Sequence, residues 1–409
     1  MMKAIEEKLS LRKCFLVAGS SGVMILMQPI LLLLFSRQRV DNTAVDGTAL
    51  IFSAYTLLSF IVAIYTLKNT SVKIYARKLL SQVPITIFIC YILFCFFSSI
   101  WSVIPLLSCY RAFECLSMLL LYIAAISKVA TGGSASLVCS WCVYVVAWIN
   151  IVTLFHILKT SGLNLHMLGY IGQMTSTIFF FLALTCRCNL ISKVSVIFFS
   201  LISSSTTASI GMAVGGMFLL SKLKRHGWLM LFLPFILVFL ISYYGGVEEL
   251  LKETIFSNHS EILDSDSSDI MKHTSGRGNI WSMGWAAFLE EPWLGYGFVS
   301  GEMHVSQDMS FGYGGLMAMH NGYLSSLVGC GFVGGLLFVI FMISVSIYPI
   351  CMLRKEYRNV MCACVTVVFF HVMANPGLGG RVAGAWQASA LLVVLMCVIS
   401  IMERKPKIL

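Results

Sequence analysis

Arg111, Arg277, His320 and Arg381 are ionisable side chains set among apolar or glycine-rich neighbours, where an ordinary solvated surface would not place them. Arg277 follows Ser275-Gly276 and opens a short run in which Ile280/Trp281, Gly284/Trp285 and Phe288/Leu289 recur every four residues. That period makes a helix with one apolar face, able to lie on a bilayer. Its positive end would carry Arg277, and both the dipole and the guanidinium fork suit a bound diphosphate. The plainer alternative is an interfacial arginine reaching lipid phosphates. His320 stands in His320-Asn321-Gly322-Tyr323-Leu324, at the lip of an apolar helix. An imidazole there can take a proton from a sugar hydroxyl, although His320 or Asn321 could equally serve as a helix cap.

Arg111 lies in an apolar segment one turn from Glu114. An intramembrane arginine is costly unless it is paired or faces a polar cavity, so it is a functional candidate; the competing reading is an i,i+3 pair that satisfies only itself. Arg381 closes the turn Asn375-Pro376-Gly377-Leu378-Gly379-Gly380-Arg381, where glycines let backbone approach a ligand or simply make a short loop. His371, on an apolar helix just before it, reads as structural. Trp281, Trp285, Trp293, Tyr296, Tyr313 and Tyr323 can stack on sugar rings or form an interfacial aromatic belt. Glu261, Asp264, Asp266 and Asp269 resemble a D-x-D metal cluster, but their serine-rich setting favours a solvated loop. No P-loop, zinc spacing or nucleophile elbow is present, and no metal or other cofactor is expected.

The elements that must position these residues are membrane helices. With 58% apolar and 11% charged residues among 409, and a mean hydropathy of +0.88, the chain is no water-soluble globule. Apolar runs fall near 14–35, 48–67, 83–103, 104–127, 136–158, 168–186, 190–205, 206–221, 228–247, 320–350, 359–374 and 382–402, about twelve at the length a crossing requires. The runs at 190–205 and 206–221 are short and read as a pair meeting at the outer face or as one re-entrant hairpin. The first run lacks a small-residue cleavage site and reads as a signal-anchor. The 14 cysteines, the pair Cys139 and Cys142 included, read as small buried hydrophobes.

Most of the 28 Lys and Arg residues fall on one side when the N-terminus is placed inside. The net charge of +10 is thereby explained without nucleic acid. The segment from about 248 to 319, which holds more than half of the 18 acidic residues, is then outside. The expectation is an all-α integral membrane protein with one long outer loop between the ninth and tenth helices. Its parts are N-terminal helices (1–247), the outer loop (248–319) and C-terminal helices (320–409).

Taken together, Trp101-Ser102-x-x-Pro105-x-x-Ser108-x-x-Arg111, Gly276-Arg277-x-x-x-Trp281 with Pro292-x-x-Gly295-Tyr296-Gly297, His320-Asn321-Gly322-Tyr323-Leu324, and Gly331, Gly334 and Gly335 resemble the bacterial O-antigen polymerase and O-antigen ligase superfamily. The resemblance implies a GT-C-like glycosyltransferase architecture in the inner membrane. It implies metal-independent transfer of a glycan from undecaprenyl diphosphate at the periplasmic face. Arg111, Arg277 and Arg381 become diphosphate-binding candidates and His320 the base, with Arg277 also counted as catalytic. Trp281, Trp285, Tyr296, Asn321 and Tyr323 become glycan contacts. The implied partners are an undecaprenyl-diphosphate-linked oligosaccharide, membrane lipid and a chain-length regulator. One departure stands out: many relatives carry a Ser-Arg pair where this chain reads Ser205-Thr206-Thr207-Ala208-Ser209.

The His320-Asn321-Gly322-Tyr323-Leu324 form, with Trp281 and Gly295-Tyr296-Gly297, resembles polymerases of O-antigen, capsule or exopolysaccharide more than ligases that pass the glycan to lipid A-core. A polysaccharide or lipid-linked-sugar transporter is the rival from another class. It would place paired charges and broken helices near the bilayer midplane, whereas Arg277 and His320 belong to one outer loop.

Overall fold

The computed structural model describes residues 11–35, 47–161, 175–186, 188–203, 206–220, 277–307, 319–375, 377–380, 382 and 384–403, and every regular element among them is helical. The chain is an all-α integral membrane protein. In order the helices are α1 (Leu11–Phe35), α2 (Gly47–Lys68), α3 (Thr70–Leu80), α4 (Val83–Phe97), α5 (Pro105–Ala130), α6 (Ala135–Ser161), α7 (Thr177–Thr185), α8 (Leu190–Leu201) and α9 (Thr206–Leu220). They continue with α10 (Arg277–Glu290), α11 (Ser300–Gln307), α12 (Gly322–Met352), α13 (Lys355–Ala374) and α14 (Gly384–Glu403). Among the described residues eight helices are long and apolar enough to cross a membrane: α1, α2, α4 with its 3-10 extension, α5, α6, α12, α13 and α14. Each coincides with an expected run. The two short runs become α8 and α9, and the run near 228–247 lies outside the described residues.

At the centre stands α14. Every residue from Ala385 to Ser400 is buried, with α3, α4, α5, α6, α7 and α13 packed around it; a helix apolar on all sides needs such an enclosure. Peripheral helices are built the other way round. The buried residues of α2 are Tyr55, Thr56, Ser59 and Ala63, while Leu50, Leu57, Leu58 and Ile61 are exposed. Lipid is as apolar as leucine, so small and polar residues mark the contact face and large apolar ones face the bilayer. The same logic places Gly211 and Gly215 of α9 against α13. A Cβ at Gly215 would lie 2.9 Å from the Ala363 carbonyl oxygen, and one at Gly211 3.3 Å from Val367 Cα. Thus α9 packs on α13, whereas α8 packs on α6 and α7.

Two helices, α3 and α11, were not expected. The segment at 70–80, read as an inside connection, forms α3, which buries Val72, Ala76 and Leu79 and leaves Lys73, Arg77 and Lys78 exposed. The i, i+4, i+7 spacing of its buried residues was the available signal.

The described part of the loop is fixed by a fault in α12. Gly331 has φ 62° and ψ −165°, conformations open to glycine alone, so the helix breaks there. In an unbroken helix the Phe332 and Val333 amides would bond the carbonyls of Val328 and Gly329. Instead Phe332 N–H donates to Pro292 O (2.7 Å) and Val333 N–H to Trp293 O (3.5 Å), while Tyr296 and Gly297 donate to the Val328 and Gly329 carbonyls at 3.0 and 2.8 Å. The loop thus occupies the break and satisfies groups that would cost several kcal/mol each if left bare in an apolar setting. A Cβ at Gly331 would collide with the Trp293 carbonyl. Gly331→Ala is therefore expected to lower stability by about 1–3 kcal/mol from backbone strain alone. Limited proteolysis should then cut within 277–307 in detergent, while Gly216→Ala, whose Cβ would meet only ordinary contacts at 3.9 Å, leaves that segment protected.

Candidate active site

The Gly295-Tyr296-Gly297 turn is clamped from the other side by the start of α5. Trp101 Nε1 donates to Leu294 O at 3.0 Å and Val103 N–H to Tyr296 O at 3.0 Å. Ser102 shares hydrogen bonds with Ser108 (2.8 Å) and Ser300 (2.7 Å), Ser108 Oγ–H donates to Phe298 O (2.7 Å), and Phe298 N–H donates to Ser98 Oγ (2.9 Å). A Cβ at Gly297 would strike Ser102. Trp101, Ser102 and Ser108 are thus the clasp that holds the loop, and the sequence pieces that were distant along the chain meet here.

Three elements converge on His320. From α10, Trp281 Nε1 donates to Met319 O at 2.9 Å. Below it, Ile280, Met319, Leu324 and Val328 form a small apolar core with Ala287 and Val305, and a Cβ at Gly284 would lie 2.8 Å from Met319 Sδ. From α12, Asn321 supplies the cap: its Oδ1 accepts from Tyr323 N–H at 3.0 Å and Leu324 N–H at 3.1 Å. From the far end of the sequence, the turn Gly377–Gly379 abuts the first residue of α12, with a Cβ at Gly379 blocked by the Gly322 carbonyl. Tyr91 ties that junction together, bonding Ser326 Oγ at 2.8 Å and Gly379 O at 3.2 Å. His320 itself is half-buried with φ +48°, a left-handed conformation uncommon outside glycine.

The arginines are described to different degrees. Arg277 is the first residue of α10, one turn before Trp281. Arg381 lies outside the described residues, two positions after Gly379, and Glu261, Asp264, Asp266 and Asp269 lie outside them as well. Arg111 Nη1 makes the i,i+3 ion pair with Glu114 Oε2 at 2.8 Å and stacks on Tyr110 at 5.3 Å. Its Nε is buried and finds no partner among the described residues. It lies one turn along α5 from Ser108, which meets Ser300 Oγ at 3.1 Å.

The aromatic candidates separate. Trp281 joins the His320 junction. Trp285 and Trp293 are exposed, and Trp293 meets Phe332, an exposed apolar residue of α12, at 6.1 Å. Tyr296 donates its hydroxyl to Glu290 Oε2 at 3.0 Å and stacks on His304 at 4.1 Å. Tyr323 turns its ring into the core against Phe338 and Phe369. His371 is buried, with Asn375 Nδ2 at 3.2 Å from its Nδ1, and so braces the turn that leads to Arg381. Sequence reasoning missed Glu302, buried at 4% exposure and accepting from Ser325 Oγ–H at 2.6 Å. Its segment mixes Phe298, Val299, Met303 and Val305 with glycine and polar residues, and nothing in that pattern marks the carboxylate itself as buried.

A multi-pass helical membrane protein whose loop is stitched into a broken helix, beside a histidine and the asparagine that caps that helix, defines the class. Residues 191–339 match a family described as O-antigen ligase, a stretch that runs from α8 through the loop to the break in α12. Over that stretch the chain is similar to the O-antigen polymerase and ligase superfamily, and the similarity supports a glycosyltransferase-like part in polysaccharide assembly on a lipid-linked glycan in the membrane. Comparison with curated proteins gave no match.

The cap can be tested on its own. Asn321→Ala is expected to cost about 1 kcal/mol and to speed hydrogen exchange at the Tyr323 and Leu324 amides, whereas Asn321→Asp, which keeps the acceptor, should leave both near wild type.

Proposed function

We propose that the protein is an inner-membrane polymerase that joins undecaprenyl-diphosphate-linked oligosaccharide repeat units at the periplasmic face. The observation that carries this reading is the convergence on His320 of the Trp281 contact from α10, the Asn321 cap of α12 and the glycine turn before Arg381. In the proposed reaction His320 takes the proton from the acceptor sugar hydroxyl. The hydroxyl oxygen bonds to the anomeric carbon of the donor chain as the bond to the diphosphate oxygen breaks, and the lipid diphosphate leaves. Arg277, Arg111 and Arg381 carry the charge that develops on the leaving group, which is electrostatic stabilisation by groups already in place. Trp281, with Tyr296 and Asn321, would line the sugar side. A single displacement inverts the anomeric centre. The diphosphate is a good leaving group, so the reading routes no step through a metal or other cofactor.

The family description favours a second reading, transfer of the glycan to lipid A-core. The two share a donor site and differ in the acceptor, so one assay separates them. Purified protein given only the lipid-diphosphate-linked repeat unit should yield a ladder of products. Arg277→Ala and His320→Ala should each reduce it by roughly 100-fold or more, the scale of a lost general base. Product formed only after lipid A-core is added would make the protein a ligase. Absence of turnover in both cases, with lipid-linked sugar crossing liposomes instead, would overturn the enzyme reading.

A further inference from the structure

Glu302 is the one buried carboxylate that the proposed reaction leaves unused in the described part of the loop. It is 4% exposed on α11 and accepts the Ser325 hydroxyl at 2.6 Å, a length typical of a hydroxyl donating to an ionised oxygen. Two helix ends stabilise that charge. Glu302 lies in the first turn of α11, and its partner Ser325 lies in the first turns of α12, whose Ser325 N–H in turn donates to Asn321 O at 2.9 Å. Negative charge is favoured at both positions by the helix dipole. The residue immediately before that cap is His320, in its left-handed conformation.

We infer that Glu302 is a positioning residue for His320: through Ser325 it fixes the turn of α12 on which the imidazole is mounted, and its charge favours the protonated imidazole that forms when the acceptor hydroxyl is deprotonated. The inference rests on the proposed role of His320 as base. It assigns the loop a second task beyond carrying Arg277, since α11 brings a counter-charge to the base and the α10 start brings a positive one to the leaving group. Other ionisable groups on the elements packed here are Arg111 with Glu114 on α5, His304 on α11, Glu290 and Arg277 on α10, Tyr91 on α4, Tyr323 on α12, His371 on α13 and Arg381 beyond the 377–380 turn. Of these Arg111 is already paired to Glu114, and Glu290 is bonded by Tyr296 at the other end of α10.

The test reads His320 directly. Carbethoxylation by diethylpyrocarbonate modifies neutral imidazole, and peptide mass analysis follows His320 alone across pH in the full-length protein, whether or not the protein turns over. Glu302→Gln keeps the shape and an acceptor for Ser325 but removes the charge. Its midpoint for His320 modification is expected to move to lower pH by at least half a unit, with the acid limb of turnover moving the same way and kcat falling about tenfold while KM holds. Ser325→Ala should lower kcat and leave the midpoint less displaced, and Glu302→Asp, which keeps the charge, should restore most of the wild-type midpoint. A His320 midpoint unchanged in Glu302→Gln overturns the inference even if the protein polymerises. A shifted midpoint in a protein whose His320→Ala variant remains fully active supports the coupling while rejecting His320 as base. Should Glu302→Gln not fold, the same comparison is read from Glu302→Asp against Ser325→Ala, and equal midpoints in both and in the wild type overturn it.

Discussion

The exchange of backbone hydrogen bonds at Gly331 is the constraint on which the rest of the site depends. A helix in an apolar medium has to satisfy every amide and carbonyl within itself or against protein. By breaking at Gly331, α12 releases two donors and two acceptors, and the segment from Pro292 to Gly297 takes all four. Neither partner can be changed without stranding the other. The loop is for that reason part of the membrane bundle along its inner edge, and the site it builds inherits the rigidity of α4, α5 and α12.

That anchoring explains the distribution of polar groups. Ser102, Ser108 and Ser300 are buried hydroxyls whose bonds run to one another and to loop carbonyls, while buried Ser98 donates to Cys95 O and accepts from Phe298 N–H; such a network rigidifies because no member is left bare. Ionisable groups lie near it: Arg111 with Glu114 one to two turns further along α5, Glu302 with Ser325, and His320 at the cap. Apolar packing on Met319 and Leu324 supports the underside of that layer. The arrangement holds charges at the edge of the low-dielectric region, where their mutual interactions are stronger than in water but the full cost of burial is not incurred.

The membrane character, the all-helical fold and the long spans were legible because hydropathy registers directly what lipid demands. The helix start at Arg277 and the cap at Asn321 were legible too, since capping chemistry is local. What escaped was whatever depends on partners distant in the chain. The amphipathic run after Arg277 was read as having one face for the bilayer, yet Ile280, Gly284 and Ala287 face α12 while Trp285 and Leu289 are exposed; a sequence period counts apolar faces without saying which is covered by protein. Trp101, Ser102 and Ser108 stood out as a pattern whose purpose only the docked loop reveals. Glu302 was invisible, because burial of a carboxylate by a neighbouring helix leaves no trace in its own segment.

The left-handed backbone of His320 follows from these same constraints. On its N-terminal side the Met319 carbonyl is held by Trp281, and on its C-terminal side Asn321 is extended to cap α12 while Gly322 is pressed by Gly379. With both neighbours fixed, His320 has to absorb the change of direction between loop and helix, at a cost of order 1–3 kcal/mol that the surrounding bonds offset. A residue needed only as a linker could have been glycine, which takes such a conformation without strain. The imidazole thus stands at a position that disfavours any side chain, at the start of the helix that receives the loop, and the proposed role as base gives that strained placement a use.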